Sequence, residues 1–279
     1  AAIVLDLDET LGYYTEFGVF MASILSQSSK LSFNNNNSPI PQTFFNNCLD
    51  LYPEFMRPHI LEILDYIKKN KMVGKCGKVL IYTNNKGPRE WAKSIVTYIE
   101  RKLNFQLFDK IIGAFKIDGQ LVEIDRTSTN KSYKDLITCS KISPNTQICF
   151  IDDSYFPNME HKNIYYIKVE PYIHMLPYTT MVNRFIKSPL LKTLETQLTE
   201  KEFENKINNE MYIYGFQASE PTCNREKEKE KFIHTGIAQH IITVLSEFFK
   251  TKCPSPQYNG TRKKNKRKIY NFSNKTRRN

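Results

Sequence analysis

Apolar residues along the chain follow two rhythms, short unbroken runs and longer stretches repeating every three to four positions. Ile3-Val4-Leu5, followed by Asp6-Leu7, predicts a buried strand over residues 3–7 that ends at acids. Lys78-Val79-Leu80-Ile81-Tyr82-Thr83 predicts a second strand, residues 111–115 a third, and Ile148-Cys149-Phe150-Ile151 a further one running into Asp152-Asp153. Residues 164–169 predict the next. Asp118-Gly119 between two short apolar stretches predicts a tight hairpin.

The slower rhythm predicts helices. Arg57-Pro58 opens one, with Ile60, Leu61, Leu64 and Ile67 on one face, and Pro88 opens another, with Trp91, Ile95, Tyr98, Ile99 and Leu103 turned inward. A short helix is expected from near Asn130 to about Cys139. Between Tyr13 and Phe55 the pattern weakens, and the asparagines from Asn34 to Asn37 with Pro39 and Pro41 predict a loop-rich flap over 13–56. The aromatic pairs Tyr13-Tyr14, Phe44-Phe45 and Tyr165-Tyr166 read as core or flap packing.

Strands alternating with helices predict an α/β fold, a Rossmann-like, mostly parallel sheet with helices on both faces. The predicted units are a domain over 1–187 carrying the flap, a helical extension over 188–250, and a basic, disordered tail over 251–279. In the extension, Arg225 to Lys231 reads as a solvated mixed-charge segment, and 237–249 as the last turns of a helix.

Charge sharpens this division. Nine of the 40 Lys and Arg fall in residues 261–279, which hold no acid, so the rest of the chain carries 31 bases against 29 acids. The body is nearly neutral; the tail is what makes the chain basic. The tail reads equally as a solvated end or as a nuclear-import or nucleic-acid-binding arm. Six cysteines without a Cys-x-x-Cys pair argue against a zinc site or disulfide framework and fit a reducing, intracellular compartment, cytoplasmic or nuclear. No apolar run approaches the length that spans a bilayer. Ala1 already begins a predicted strand without an initiator Met, so the chain reads as one that continues upstream.

Four polar fragments sit at predicted strand ends or a helix start: Asp6-Leu7-Asp8-Glu9-Thr10, Thr83-Asn84-Asn85, Asn130-Lys131-Ser132-Tyr133-Lys134-Asp135, and Asp152-Asp153-Ser154. Open α/β sheets place ligands at the carboxyl ends of their strands. Cleaving a phosphate monoester needs a nucleophile, an acid for the departing alkoxide, and positive charge against the phosphoryl oxygens. Acids gathered closely repel unless a divalent cation lies between them, and Asp6 and Asp152 with a backbone carbonyl make an oxygen-rich seat of the kind Mg2+ prefers. On this reading Asp6 attacks phosphorus and Asp8 protonates the departing oxygen, provided the turn at Glu9-Thr10 swings Asp8 into the same pocket. Thr83 offers its hydroxyl to a phosphoryl oxygen, and a lysine at the helix start neutralises charge.

These residues resemble the haloacid-dehalogenase (HAD-like) superfamily. Within it, Asp6-Leu7-Asp8-Glu9-Thr10-Leu11 is similar to the NLI-interacting-factor-like (FCP/SCP homology) family, the RNA polymerase II carboxy-terminal-domain phosphatases. Arg57-Pro58, Tyr82-Thr83, Tyr133-Lys134-Asp135-Leu136 and Ile151-Asp152-Asp153-Ser154 carry the likeness over roughly residues 1–187. The resemblance implies Asp6 as nucleophile, Asp8 as general acid/base, and magnesium held by Asp6, Asp152 and the Asp8 carbonyl, with Asp153 supporting the metal or its waters. It implies a catalytic lysine, Lys131 or Lys134, with Thr10 among the motif's catalytic residues, Thr83 and Asn84 contacting phosphate, and Arg126 as a further phosphate ligand.

The 48 residues from Thr83 to Lys131 are filled by a helix, a strand and a hairpin, which leaves no room there for a lid domain. An unlidded site suits a phosphate displayed on a protein, and the expected substrate is a phosphoprotein, its phosphate on Ser or Thr of a chain such as a Ser/Thr-rich tail. A phosphatase for small molecules or nucleic-acid ends, and a binding module that kept the fold without catalysis, are the alternatives.

Overall fold

A computed structural model describes residues 1–29, 40–87, 89–219, 224–250 and 269–271. The chain is α/β. Its parallel strands are β1 (Ala2–Leu5), β2 (Lys78–Tyr82), β3 (Lys110–Ile112), β6 (Ile148–Asp152), β7 (Ile164–Lys168) and β8 (Ile269–Asn271), arranged β3-β2-β1-β6-β7-β8. A hairpin of β4 (Lys116–Ile117) and β5 (Gln120–Leu121) turns at Asp118 and Gly119, both at positive φ, as the Asp-Gly pair predicts.

Period-two alternation divides the sheet cleanly. Ile3, Leu5, Val79, Ile81, Cys149, Ile151 and Ile167 enter the larger core. Ala2, Val4, Leu80, Tyr82, Ile148, Phe150 and Tyr166 face the smaller one, with Leu136 and Cys139 of helix α5 (Tyr133–Ser140). The larger core is roofed by α1 (Thr15–Leu25), α2 (Gln42–Asp50), α3 (Ile60–Met72), α4 (Arg89–Leu103), α6 (Tyr178–Ile186), the single turn α7 (Leu190–Thr193), α8 (Glu200–Ile213) and α9 (Asn224–Lys250).

Residues 13–29 and 40–56 do not form a flap. They build α1, α2 and the turn after α2, and their Phe17, Phe20, Phe45, Tyr52 and Phe55 are fully buried and meet one another and Trp91 ring to ring. Aromatic pairs gain attraction beyond the area they bury, so this cluster anchors the insertion to α4. The asparagine run lies outside the described residues.

The extension is likewise part of the body. Thr199 and Glu202 close a capping box at the start of α8, which sends Phe203, Ile207 and Met211 into the larger core. From α9, Ile237, Ile241, Val244, Leu245 and Phe248 join them. Arg225 to Lys231 belong to the first turns of α9, which begins well before the turns read from the sequence. In the tail, Ile269–Asn271 pair in parallel with β7, where the sequence reading expects disorder. Ile and Tyr favour strands, and the outer edge of β7 offers unpaired backbone groups. The other tail residues lie outside the described ones. No helix among the described residues is long and apolar enough to cross a membrane.

Candidate active site

Strand register assembles the site. Leu5 pairs with Ile81 on one side and Ile151 on the other, so the next residues, Asp6, Tyr82 and Asp152, stand at one level at the carboxyl ends of their strands. The Asp6 amide bonds the Ile151 carbonyl at 2.9 Å, which keeps Asp6 beside Asp152. β1 has neighbours reached by opposite crossovers, and this switch point is where an open parallel sheet leaves its crevice.

Lys131 fills that crevice from the other side. Its Nζ lies 2.6 Å from Asp6 Oδ1 and 2.6 Å from Asp152 Oδ2, and the side chain is fully buried. The rings of Tyr82, Phe150 and Phe156 surround the ammonium at 5.7, 5.9 and 5.3 Å. Burial opposes the lysine charge, but Asp6 and Asp152 outweigh it and hold its pKa above the ordinary range. Burial also raises Asp6 and Asp152, against the pull of the lysine. One ammonium cannot neutralise both carboxylates, and Asp153 adds a third. Ligand oxygens of Asp6, Asp152 and Asp153 lie within 4.8 Å of one another. Three converging carboxylates are hard oxygen donors, so the residues present fit a small divalent cation.

After Leu5 the chain leaves the strand. Glu9 takes a positive φ of 58°, and the Leu11 amide bonds back to the Leu7 carbonyl at 2.9 Å. This tight turn returns Asp8 to the mouth of the crevice. Gly12 is required there, since a Cβ would sit 2.4 Å from the Phe55 carbonyl oxygen. Burial first, then the nearby Asp6 charge, pushes the Asp8 carboxyl up to about 6, although an Asn85 hydrogen bond pulls it down. Asn85 Nδ2 reaches both Asp8 oxygens, at 3.1 and 2.9 Å.

The arrangement can accept and release a phosphoryl group: a nucleophilic carboxylate, a second carboxyl whose pKa lies near neutrality, and a buried cation. Residues 1–203 match the family model described as NLI interacting factor-like phosphatase. The chain belongs to that family. No curated protein and no solved structure compared with the chain matches it.

In this NLI interacting factor-like phosphatase the residues expected from the sequence divide into two groups. Asp6, Asp152, Asp153 and Lys131 converge, with Asp8 at the mouth. Thr83 stands at the end of β2, where its Oγ1 accepts from the Asn85 amide at 3.0 Å and keeps its own hydrogen to donate. Thr10 turns to the phosphatase's acids, not to the crevice: its hydroxyl donates to Asp153 Oδ1 at 3.0 Å and accepts from the Asp153 amide at 3.1 Å.

Three expectations need correcting. Lys134 is exposed on the first turn of α5, because Ser132 caps that helix and leaves Lys131 in extended chain before it. Arg126 is buried and donates to the carbonyls of Thr83, Gly113 and Thr129 and to Asn84 Oδ1, at 2.6 to 3.0 Å. It therefore ties the loop before Lys131 to the sheet and presents no fork to phosphate, and Asn84 is spent on the same contact. Asp135 assists by accepting from the Thr127 amide and hydroxyl, both at 3.0 Å.

Two residues of the site escaped the sequence reading. Asn85 was visible only as one member of an Asn pair. Arg57 acts on the phosphatase's motif turn, not merely on the helix it precedes: its Nε donates to the Thr10 carbonyl at 2.6 Å, and its Nη2 to those of Glu9 and Glu170 at 2.5 and 2.7 Å. A buried guanidinium with three carbonyl partners 47 to 113 positions away leaves no local pattern to read.

Proposed function

We propose that this chain is a magnesium-dependent phosphatase that passes phosphate through Asp6 to water and acts on phosphoserine or phosphothreonine in proteins. The observation that carries the reading is the gathering of Asp6, Asp152 and Asp153 around the buried Lys131, with Asp8 at the rim.

Asp6 attacks phosphorus, and the bond to the departing oxygen breaks as Asp8 gives that oxygen its proton. The Asp8 carboxylate then takes a proton from water. That water attacks the same phosphorus, releases phosphate and restores Asp6. Asp8 must alternate between acid and base, and a pKa near 6 serves both at neutral pH. Lys131 and the Thr83 hydroxyl face the phosphoryl oxygens. Asp6, Asp152 and the Asp8 carbonyl would hold the magnesium, with Asp153 steadied by Thr10 in support. When bound, the ion supplies positive charge against the phosphoryl oxygens and separates the carboxylates.

Protein-borne phosphate is favoured because only α4, β3 and the β4-β5 hairpin lie between Thr83 and Lys131 among the described residues. Small metabolites are usually enclosed, whereas a phosphate on a chain needs an open approach. The test is hydrolysis of p-nitrophenyl phosphate with magnesium, followed by a panel of phosphopeptides, sugar phosphates and nucleotides. Asp6→Asn should abolish turnover, and hydroxylamine should trap an acyl phosphate in the wild type. Turnover that survives Asp6→Asn, or a preference for sugar phosphates over every phosphopeptide, would overturn the reading.

A further inference from the structure

The motif turn is held from behind by two residues of distant loops. Arg57 gives its amide to the Leu11 carbonyl at 3.0 Å, its Nε to that of Thr10 and its Nη2 to that of Glu9. The Tyr172 amide reaches the same Glu9 carbonyl at 2.8 Å, and the Tyr172 hydroxyl donates to the Glu54 carbonyl at 2.6 Å. The Arg57 guanidinium lies over the Tyr172 ring, 5.6 Å from its centroid. Glu9 needs this double hold. Its φ of 58° is a conformation that a residue with a Cβ keeps only where its surroundings enforce it.

Helix α9 closes on both holders. His234 is buried and meets the Tyr172 ring edge to face, with centroids 5.0 Å apart and planes at 82°. Burial first, then the nearby Arg57, His174 and His59, brings the His234 pKa down to about 4. Its ring is therefore neutral near pH 7, and it packs as an aromatic group. Thr235, the next residue, reaches the other holder. Its Oγ1 lies 3.1 Å from Nε2 of His59, two residues after Arg57, and Nδ1 of the same ring meets Glu62 Oε1 at 2.9 Å. His59 stands at the start of α3 with a φ of 63°, a second strained position that its neighbours must fix. Successive residues of one helix thus press on both supports of the turn that aims Asp8.

We infer that His234 and Thr235 are positioning residues for phosphoryl transfer, acting through Tyr172, His59 and Arg57 on the turn that carries Asp8. The inference rests on the phosphatase reading for its kinetic consequence and adds α9 to the machinery which that reading describes. Both residues lie beyond the 1–203 matched by the family model, so the extension supplies this support and the shared domain does not. Asp6 is set beside Asp152 by strand register, and Lys131 bridges the two. Loosening the turn therefore displaces Asp8 and leaves the nucleophile in place.

A displaced general acid has a signature that a loss of folded protein lacks. p-Nitrophenolate departs with less help from a proton than phenolate does. The ratio of kcat/KM for phenyl phosphate to that for p-nitrophenyl phosphate therefore reports how well Asp8 is aimed. In the full chain with magnesium, His234→Leu and the nearly isosteric Thr235→Val should each lower that ratio about fivefold, well within what a small misplacement can cost. His234→Phe keeps a ring against Tyr172 and Thr235→Ser keeps a hydroxyl for His59, and both should restore the ratio. Hydrogen exchange supplies a readout that needs no turnover. The peptide carrying the Glu9, Leu11 and Tyr13 amides, all bonded across the turn, should exchange about fivefold faster in His234→Leu and Thr235→Val, while β2 and β6 keep their protection. An unchanged ratio in both variants overturns the proposal, as do falls in His234→Phe and Thr235→Ser as large as those in His234→Leu and Thr235→Val. If the wild type hydrolyses neither ester, the phosphatase reading fails; faster exchange of the turn then upholds the link from α9, and unchanged exchange removes it.

Discussion

Asn85 grips Asp8 with a single amide, its Nδ2 lying 3.1 and 2.9 Å from the two carboxylate oxygens. The same side chain accepts from the Gly87 amide at 2.8 Å through Oδ1, so the grip is held by the loop behind it. A carboxyl group that must give and then take a proton gains from such fixing, because a small misplacement of a reacting group is costly in rate. Asn85→Ala is expected to lower kcat about tenfold or more, with little change in KM for p-nitrophenyl phosphate and an unchanged fold by circular dichroism. Wild-type kcat in that variant would mean that Asp8 needs no partner.

The Lys131 ammonium is shared by Asp6 and Asp152 in full burial, and it has no substitute among the described side chains at 2.6 Å. Removing one partner of a buried ionic group leaves its opposite unpaired, at a cost of about 3 to 5 kcal/mol. Lys131→Met should therefore lose about 3 kcal/mol in urea unfolding at pH 8, recover part of it in millimolar magnesium, and lose nearly all turnover. Lys134→Met, on the exposed face of α5, should stay within about 0.5 kcal/mol of wild type in stability. Equal losses in the two variants would contradict this arrangement.

Much of this site was legible because strand ends are. Apolar runs stopping at Asp6 and at Asp152 announced two carboxylates at one sheet edge, and the parallel register then set them side by side. The choice between Lys131 and Lys134 was left open, although Ser132 with Asp135 three residues on is a capping pattern that starts the helix after Lys131. Which asparagine of the pair faces Asp8 depends on a turn that no periodicity describes. The insertion misled for another reason. Phe17, Phe20, Met21, Ile24 and Leu25 share one buried face of α1, but the opposite face carries Gly18, Val19 and Ala22 where charges would be expected, so no polar stripe gives the helix away.

Glu16, also on α1, is an acid with no place in the chemistry. It is buried, its Oε2 accepts from the Leu176 amide at 3.0 Å, and its Oε1 has no partner among the described residues. Burial pushes its pKa from 4.5 up to about 7. The folded protein thus keeps a proton that the unfolded chain gives up between those values. Below pH 4.5 both states hold it and Glu16 costs nothing. As pH rises towards 7 stability falls, and above 7 the full cost stands, at most about 3 kcal/mol. Glu16→Gln retains an acceptor for Leu176 without the charge. Its gain in unfolding free energy should be about 2 kcal/mol larger at pH 8 than at pH 5, and an equal change at both would refute the assignment.

The family match ends at residue 203, but the core does not. Phe203 is fully buried and stacks on Phe185 with centroids 5.8 Å apart, and Ile207, Met211, Ile237, Ile241, Val244 and Leu245 continue the same cluster. A shortened chain of residues 1–203 would expose the apolar faces of α1, α3 and α6 that these side chains cover. Each large core side chain removed costs about 2 to 5 kcal/mol, and domains hold only about 5 to 15 kcal/mol in all. Losing six such residues exceeds that margin. The 1–203 chain should aggregate or unfold without a cooperative transition, whereas 1–250 should show a single one in urea. A cooperative unfolding of 1–203 at the same midpoint would make the extension an appendage after all.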